Sequence, residues 1–145
     1  MLKHTLPTPG PASGFTLLEI LIAVVILSVG LLGLAGLQAR SLQTNQSAML
    51  RSQATVLAYD MIDRMRANRA KARDGDYNQL LASAAPAGGT VEKDDIIAWL
   101  ADIARKLPTG DGAINVNADI VTVTVQWDDS RGGAAAQQFT VESRL

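Results

Sequence analysis

The chain has 145 residues, of which 48% are hydrophobic and 19% charged, with a formal net charge of −1. That balance suits one small globular domain plus a membrane-active segment. There is no cysteine and one histidine, His4, so disulfide staples are excluded, and a chain that loses its first residues also loses the usual general base, thiol nucleophile and zinc ligands. An enzyme is therefore not expected, and neither is a cofactor or a bound metal.

Residues 1–14 contain Lys3 and the prolines Pro7, Pro9 and Pro11, which forbid a continuous helix there. By the positive-inside rule Lys3 holds this stretch in the cytoplasm. From Phe15 to Leu37 the chain is apolar almost without interruption, and about 20 such residues at 1.5 Å each cover the hydrocarbon core of a bilayer. The exception is Glu19. Insertion scales put an acidic residue at mid-membrane at roughly 2.5 to 3.5 kcal/mol, so a lone carboxylate in such a segment reads as a functional group that needs a partner.

Gly14-Phe15-Thr16-Leu17-Leu18-Glu19, set directly before the apolar run, resembles the processing site of type IV prepilins and of the related pseudopilins of type II secretion. The resemblance implies that a prepilin peptidase cuts between Gly14 and Phe15, that the new N-terminal Phe15 is N-methylated, and that Glu19 is the assembly carboxylate. An ordinary secretory signal fits poorly, because its apolar run is only about 7 to 15 residues long and Leu37-Gln38-Ala39 lacks the required small residue. A plain single-pass anchor fits the length and explains neither Gly14-Phe15 nor Glu19. Gly30, Gly33 and Gly36 fall three apart; close helix packing is the simpler reading and a hinge the alternative.

Gln38 to about Arg73 continues as an amphipathic helix, with Leu50, Ala54, Leu57, Met61 and Met65 on one side, and Asp74-Gly75 supplies a stop. Continuous from Phe15, such a rod is on the order of 85 to 90 Å long. A domain this small cannot bury it, so its second half must serve as the spine of a head. Arg64, Arg66, Arg69, Lys71 and Arg73 form a basic run. Cations suit a helix C-terminus, while nucleic-acid binding would need stacking aromatics beside them, and only Tyr77 is near. Asp74-Gly75-Asp76-Tyr77-Asn78 opens like a calcium loop, but Gln79 and Ala85 stand where the turn glycine and the bidentate Glu belong.

Ala82 to Thr90 is a small-residue connector. Asp94 to Leu107 makes a short amphipathic helix with Ile96, Leu100, Ile103 and Leu107 on one face, ended by Pro108; Trp99 lies off that stripe, as a cover for the core or a partner contact. Ala113 to Asn117 and Ile120 to Trp127 read as strands, the second alternating Val121, Val123, Val125 and Trp127 with Thr122, Thr124 and Gln126. Asp128 to Gly133 is a polar turn, and Phe139 and Val141 continue the alternation in a last strand. The sheet's apolar face needs a cover, and the stripe from Leu50 to Met65 is the one available.

Leu107-Pro108-Thr109-Gly110-Asp111-Gly112, Val121 through Arg131, and Ala58 through Arg66 together resemble minor pilins of the PilV kind. The expectation is thus an α+β lollipop in which residues 1–14 are a leader, 15–37 a transmembrane helix, 38–74 an amphipathic spine helix, and 75–145 a head with a short helix and antiparallel strands. The resemblance implies a structural subunit that helps prime assembly of the type IV pilus. Its partners would be other minor and major pilins, the prepilin peptidase and inner-membrane lipid, with nucleic acid disfavoured. It would sit in the bacterial inner membrane as a single-pass protein with a periplasmic head before entering the pilus at the cell surface. A minor pseudopilin of type II secretion is the alternative, and a pilus-tip binding module for a surface or DNA is the reading from another class.

Overall fold

The computed structural model describes residues 14–130 and 132–145; residues 1–13 of the expected leader, with Lys3, His4 and the prolines, lie outside the described residues. The elements are helix α1 (Leu17–Ala67), helix α2 (Arg69–Arg73), helix α3 (Val91–Lys106) and strands β1 (Asp111–Asn117), β2 (Ile120–Trp127) and β3 (Gln137–Arg144). The chain divides into two compact units, one ending at Leu42 and the other spanning Gln43–Leu145. The fold is α+β, a long apolar N-terminal helix followed by a small antiparallel sheet.

In the first unit, every described residue is exposed. That is the pattern of a helix whose apolar surface waits for lipid or for other helices. Gly30, Gly33 and Gly36 sit in unbroken helix, and a Cβ at any of them would meet nothing within 4 Å. Among the described residues nothing therefore requires these glycines.

In the second unit, the sheet has the order β1-β2-β3, antiparallel throughout. Alternation along β2 buries Val121, Val123, Val125 and Trp127 on one face, and α1 covers that face with Leu50, Ala54, Leu57, Ala58, Met61, Ile62 and Met65. The other face is a polar ladder in which Gln126 pairs with Gln138, Thr124 with Thr140, and Thr122 with Glu142. Helix α3 adds Ile96, Trp99 and Ile103 to the core. Trp99 is wholly buried, and its indole N–H donates to the Leu57 carbonyl at 2.9 Å, so it closes its own core and is no partner contact. Gly112 is what lets it lie there: a Cβ at that position would stand 2.4 Å from Trp99 Cη2.

The spine helix is shorter than its pattern predicts. It ends at Ala67, and after Asn68 (φ −118°, ψ 49°) the chain restarts as the five-residue α2. Asn68 leaves helical geometry with its side-chain amide bonded to the Tyr77 hydroxyl at 3.3 Å. The stop itself is as expected, since Asp74 caps α2 and Gly75 takes φ +84°, a left-handed conformation that suits glycine.

Candidate processing and assembly site

Helix α1 begins at Leu17, so Gly14, Phe15 and Thr16 stand outside it and are exposed. Thr16 is the N-cap. Its Oγ1 accepts a hydrogen bond from the Glu19 N–H at 3.2 Å, and its carbonyl accepts from the Ile20 N–H at 3.2 Å. Thr16-Leu17-Leu18-Glu19 thus has the Thr-x-x-Glu spacing of a capping box, with Glu19 as the third helical residue. A carboxylate there also faces the positive end of the helix dipole. The cap is legible in the sequence, yet the apolar run that follows draws attention away from it.

A Cβ at Gly14 would meet nothing within 4 Å, and the residue has no left-handed φ. The fold gives no reason for glycine at this position, so any requirement for it comes from a protein that handles the segment. Phe15 and Glu19 share one face of the first turns with Ile20, Ala23, Val24 and Leu27, lining a shallow cleft whose wall is apolar apart from the carboxylate. The geometry brings the three expected site residues, Gly14, Phe15 and Glu19, to the start of one exposed helix.

A second cleft, of about 660 Å³, lies in the other unit and is lined by Gln43, Thr44, Gln46, Ser47, Asp129 and Ser130. Ser47 Oγ donates to Asp129 Oδ2 at 2.7 Å across it, and the Asp128 carboxylate folds the adjoining turn by accepting from the Ser130 and Gly132 N–H groups. This link between the helix and the β2–β3 turn could not be read from the sequence, because its partners are 82 residues apart.

The basic run does not form a free cationic patch. Arg64 bonds Asp60 and Asp95, Arg66 bonds Asp63, Lys71 bonds Asp76, Arg73 bonds Asp119, and Arg69 donates to the Leu145 carbonyl. Burial works against the Arg64 charge, but Asp60 and then Asp95 outweigh it and raise its pKa; Lys71 is raised by its bond to Asp76. The acids come from α1 itself, from the turn after α2, from α3 and from the β1–β2 turn, so no single stretch of the sequence shows the run neutralised. Nor do the acceptors after Asp74 form a calcium loop, since Asp76 is taken by Lys71 and Asn78 Oδ1 accepts from the Val116 N–H at 2.8 Å. Among the described residues no group of three or more His, Cys, Asp or Glu is placed to hold a metal ion.

Two family models match the chain. Residues 11–35 match the prokaryotic N-terminal methylation motif, and residues 36–94 match the model described as type IV pilin Tt1218. No curated protein and no solved structure matches. The two matches abut and run together from before Gly14 through the spine and into α3. They include Ala58 to Arg66 and stop short of Leu107–Gly112 and Val121–Arg131, so the PilV kind within the family is not established by them. With the methylation motif, the long apolar helix and the small antiparallel head in one chain, the protein belongs to the type IV pilins.

Proposed function

We propose that the protein is a minor pilin that helps prime assembly of the type IV pilus, close to the PilV kind, rather than a pseudopilin of a secretion system. The observation that carries the subunit reading is the junction of Gly14 and Phe15, exposed and outside the helix, four residues before the one carboxylate on the apolar first turns of α1. The peptidase cuts after Gly14, Phe15 becomes the methylated N-terminus, and residues 15–37 hold the protein in the inner membrane with the head in the periplasm. Phe15, just before the helix, and Glu19 line the same cleft, so the basic amine that cleavage creates partly neutralises its own carboxylate. A neighbouring subunit's amine, offset along the filament, does so better, because it brings both charges out of lipid together. As the third helical residue, Glu19 also places its charge at the positive end of the helix dipole, so it serves its own helix as well.

The test separates these two roles. Glu19→Leu is expected to be cleaved at Gly14 and to insert, since the change raises hydrophobicity, but to be missing from the complex recovered with partner pilins. Glu19→Gln keeps the helix and removes the charge, and is expected to behave the same way. Recovery of either variant at wild-type levels would show that charge pairing at Glu19 does not drive assembly. Intact-mass analysis of the membrane form reads the cut directly: methylated Phe15 is the expected terminus, and a terminus near Arg40 would mean an ordinary secretory signal.

A further inference from the structure

The two edges of the sheet are treated differently. Register places the backbone groups of Gly112, Ile114 and Val116 on the outer edge of β1, and all three N–H groups are engaged. Gly112 donates to Asp111 Oδ1 at 2.7 Å, Ile114 to the Gln79 carbonyl at 2.8 Å, and Val116 to Asn78 Oδ1 at 2.8 Å. On the other side, the Leu145 N–H donates to the Asp119 carbonyl. In an antiparallel pair this fixes the odd-numbered residues of β3 as those bonded to β2. Gln138, Thr140, Glu142 and Arg144 therefore turn their N–H and C=O groups outward, and among the described residues none of these groups has a partner.

This open edge is eight residues long, with no proline and no lysine, the devices that usually blunt an edge. Phe139 and Val141 reach the core and stay half-exposed beside it, as residues do where a neighbouring strand is missing. We propose that the outer edge of β3 is a docking site for an extended segment of a partner protein other than a second copy of this chain, added antiparallel as a fourth strand. The segment alternates, with apolar side chains beside Phe139 and Val141 and polar ones on the ladder face. It carries an acid opposite Arg144, which makes no ion pair with any described residue, and a base opposite Glu142. Main-chain bonds supply affinity and the alternate side chains supply choice of partner.

Geometry argues against a second copy. Self-pairing of β3 that keeps both apolar faces together is antiparallel about a two-fold axis normal to the sheet, and that rotation reverses α1, which lies on the sheet face. Subunits anchored in one membrane by their N-terminal helices run in the same direction, so this exclusion rests on the pilin reading; binding at the edge does not. Pairing β3 of one copy with β1 of the next is blocked, because the outward N–H groups of β1 are taken.

The test uses the full chain in detergent and residue-resolved amide exchange. The probe is an acetylated, amidated peptide, Glu-Val-Lys-Val-Thr-Val-Gln, written to lie antiparallel with its Glu opposite Arg144. In excess it should slow exchange at Gln138, Thr140, Glu142 and Arg144 by about tenfold or more, and leave the outward amides of β1 unchanged. Thr140→Pro removes an outward N–H and no bond to β2, so it should keep the β2 protection pattern and lose the peptide effect. If that variant fails to fold, the peptide N-methylated at Lys and Thr blocks the same bonds from the other side and should give no protection. Exchanging Glu and Lys in the peptide should weaken binding, and Glu142→Lys with Arg144→Glu should restore it. Unchanged exchange at the four amides, or equal protection by the N-methylated peptide, would overturn the proposal, and either would leave the outcome of the Glu19 experiment unaffected.

Discussion

Tyr77 shows how much a single hydroxyl can tie together. It is wholly buried, donates to Asp95 Oδ2 at 2.8 Å and accepts from the Asn68 amide, while Arg64 reaches the other oxygen of Asp95 at 3.3 Å. One ring thereby joins the end of α1, the turn before α2 and the first turns of α3. Burial, and then the bond to Asp95, push its pKa up to about 12, against the opposing donation from Asn68. Because the fold holds the proton more tightly than the unfolded chain does, this contribution to stability is full below the ordinary value of 10 and is lost as pH rises through about 12. Melting temperature should therefore fall more steeply over that window in the wild type than in Tyr77→Phe. At neutral pH the same variant should be about 1 to 2 kcal/mol less stable by denaturant unfolding, since Asp95 loses a donor in a part-buried site. Gly112→Ala tests the neighbouring contact. Its methyl would enter the space of the Trp99 ring, so a loss of about 1 to 3 kcal/mol is expected, together with a changed Trp fluorescence spectrum.

Among the elements, the β1–β2 hairpin carries a correctable strain. Asn117 pairs with Ile120, leaving Ala118 and Asp119 as the turn, and Ala118 takes φ +54°. A two-residue turn with a left-handed conformation at its first position alone suits glycine there. Ala118→Gly should raise stability by about 0.5 to 1 kcal/mol, seen as a higher melting temperature with an unchanged fold. The strand after this turn was readable to the residue, because Ile120 to Trp127 alternates without a break and one face of it is fully buried. Strand β1 was harder. It starts at Asp111, two residues before the alternation becomes visible, because Asp111 and Gly112 earn their place through the Gly112–Trp99 contact and an own-backbone bond rather than through β propensity. The break at Asn68 was not read from the sequence; its side chain is tied to Tyr77, nine residues further on. At the candidate site, Gly14, Phe15 and Glu19 were legible as a contiguous motif. The neutralisation of Arg64 to Arg73 was not, as Asp95 and Asp119 join them only in three dimensions.

For the molecule as a whole, the head is not independent of the helix that precedes it. The roughly 70 residues after Gly75 are too few to bury a generous core without staples, and α1 contributes Leu50, Ala54, Leu57, Ala58, Met61, Ile62 and Met65 to the single cluster. A chain beginning at Ala39 should fold, and one beginning at Gly75 should not; a cooperative melt from the shorter chain would contradict this. The same arrangement has a mechanical side. Leu50 to Met65 spans about 22 Å of helix at 1.5 Å per residue, and a pull on the N-terminal side of that stretch loads all of its buried contacts in shear at once. The Trp99 bond to the Leu57 carbonyl sits in the middle of the stretch and acts as a dowel against sliding. Drawing the sheet away from the helix through Asp129, which is bonded to Ser47 beside Gln43, instead breaks the contacts in turn, as a zip opens. In single-molecule stretching the head should therefore yield at a higher force when held at Gln43 and Leu145, at opposite ends of the stretch, than when held at Gln43 and Asp129, which line one cleft, and Trp99→Phe should narrow the gap. A subunit built this way transmits tension along its helix and gives way only when loaded from the side.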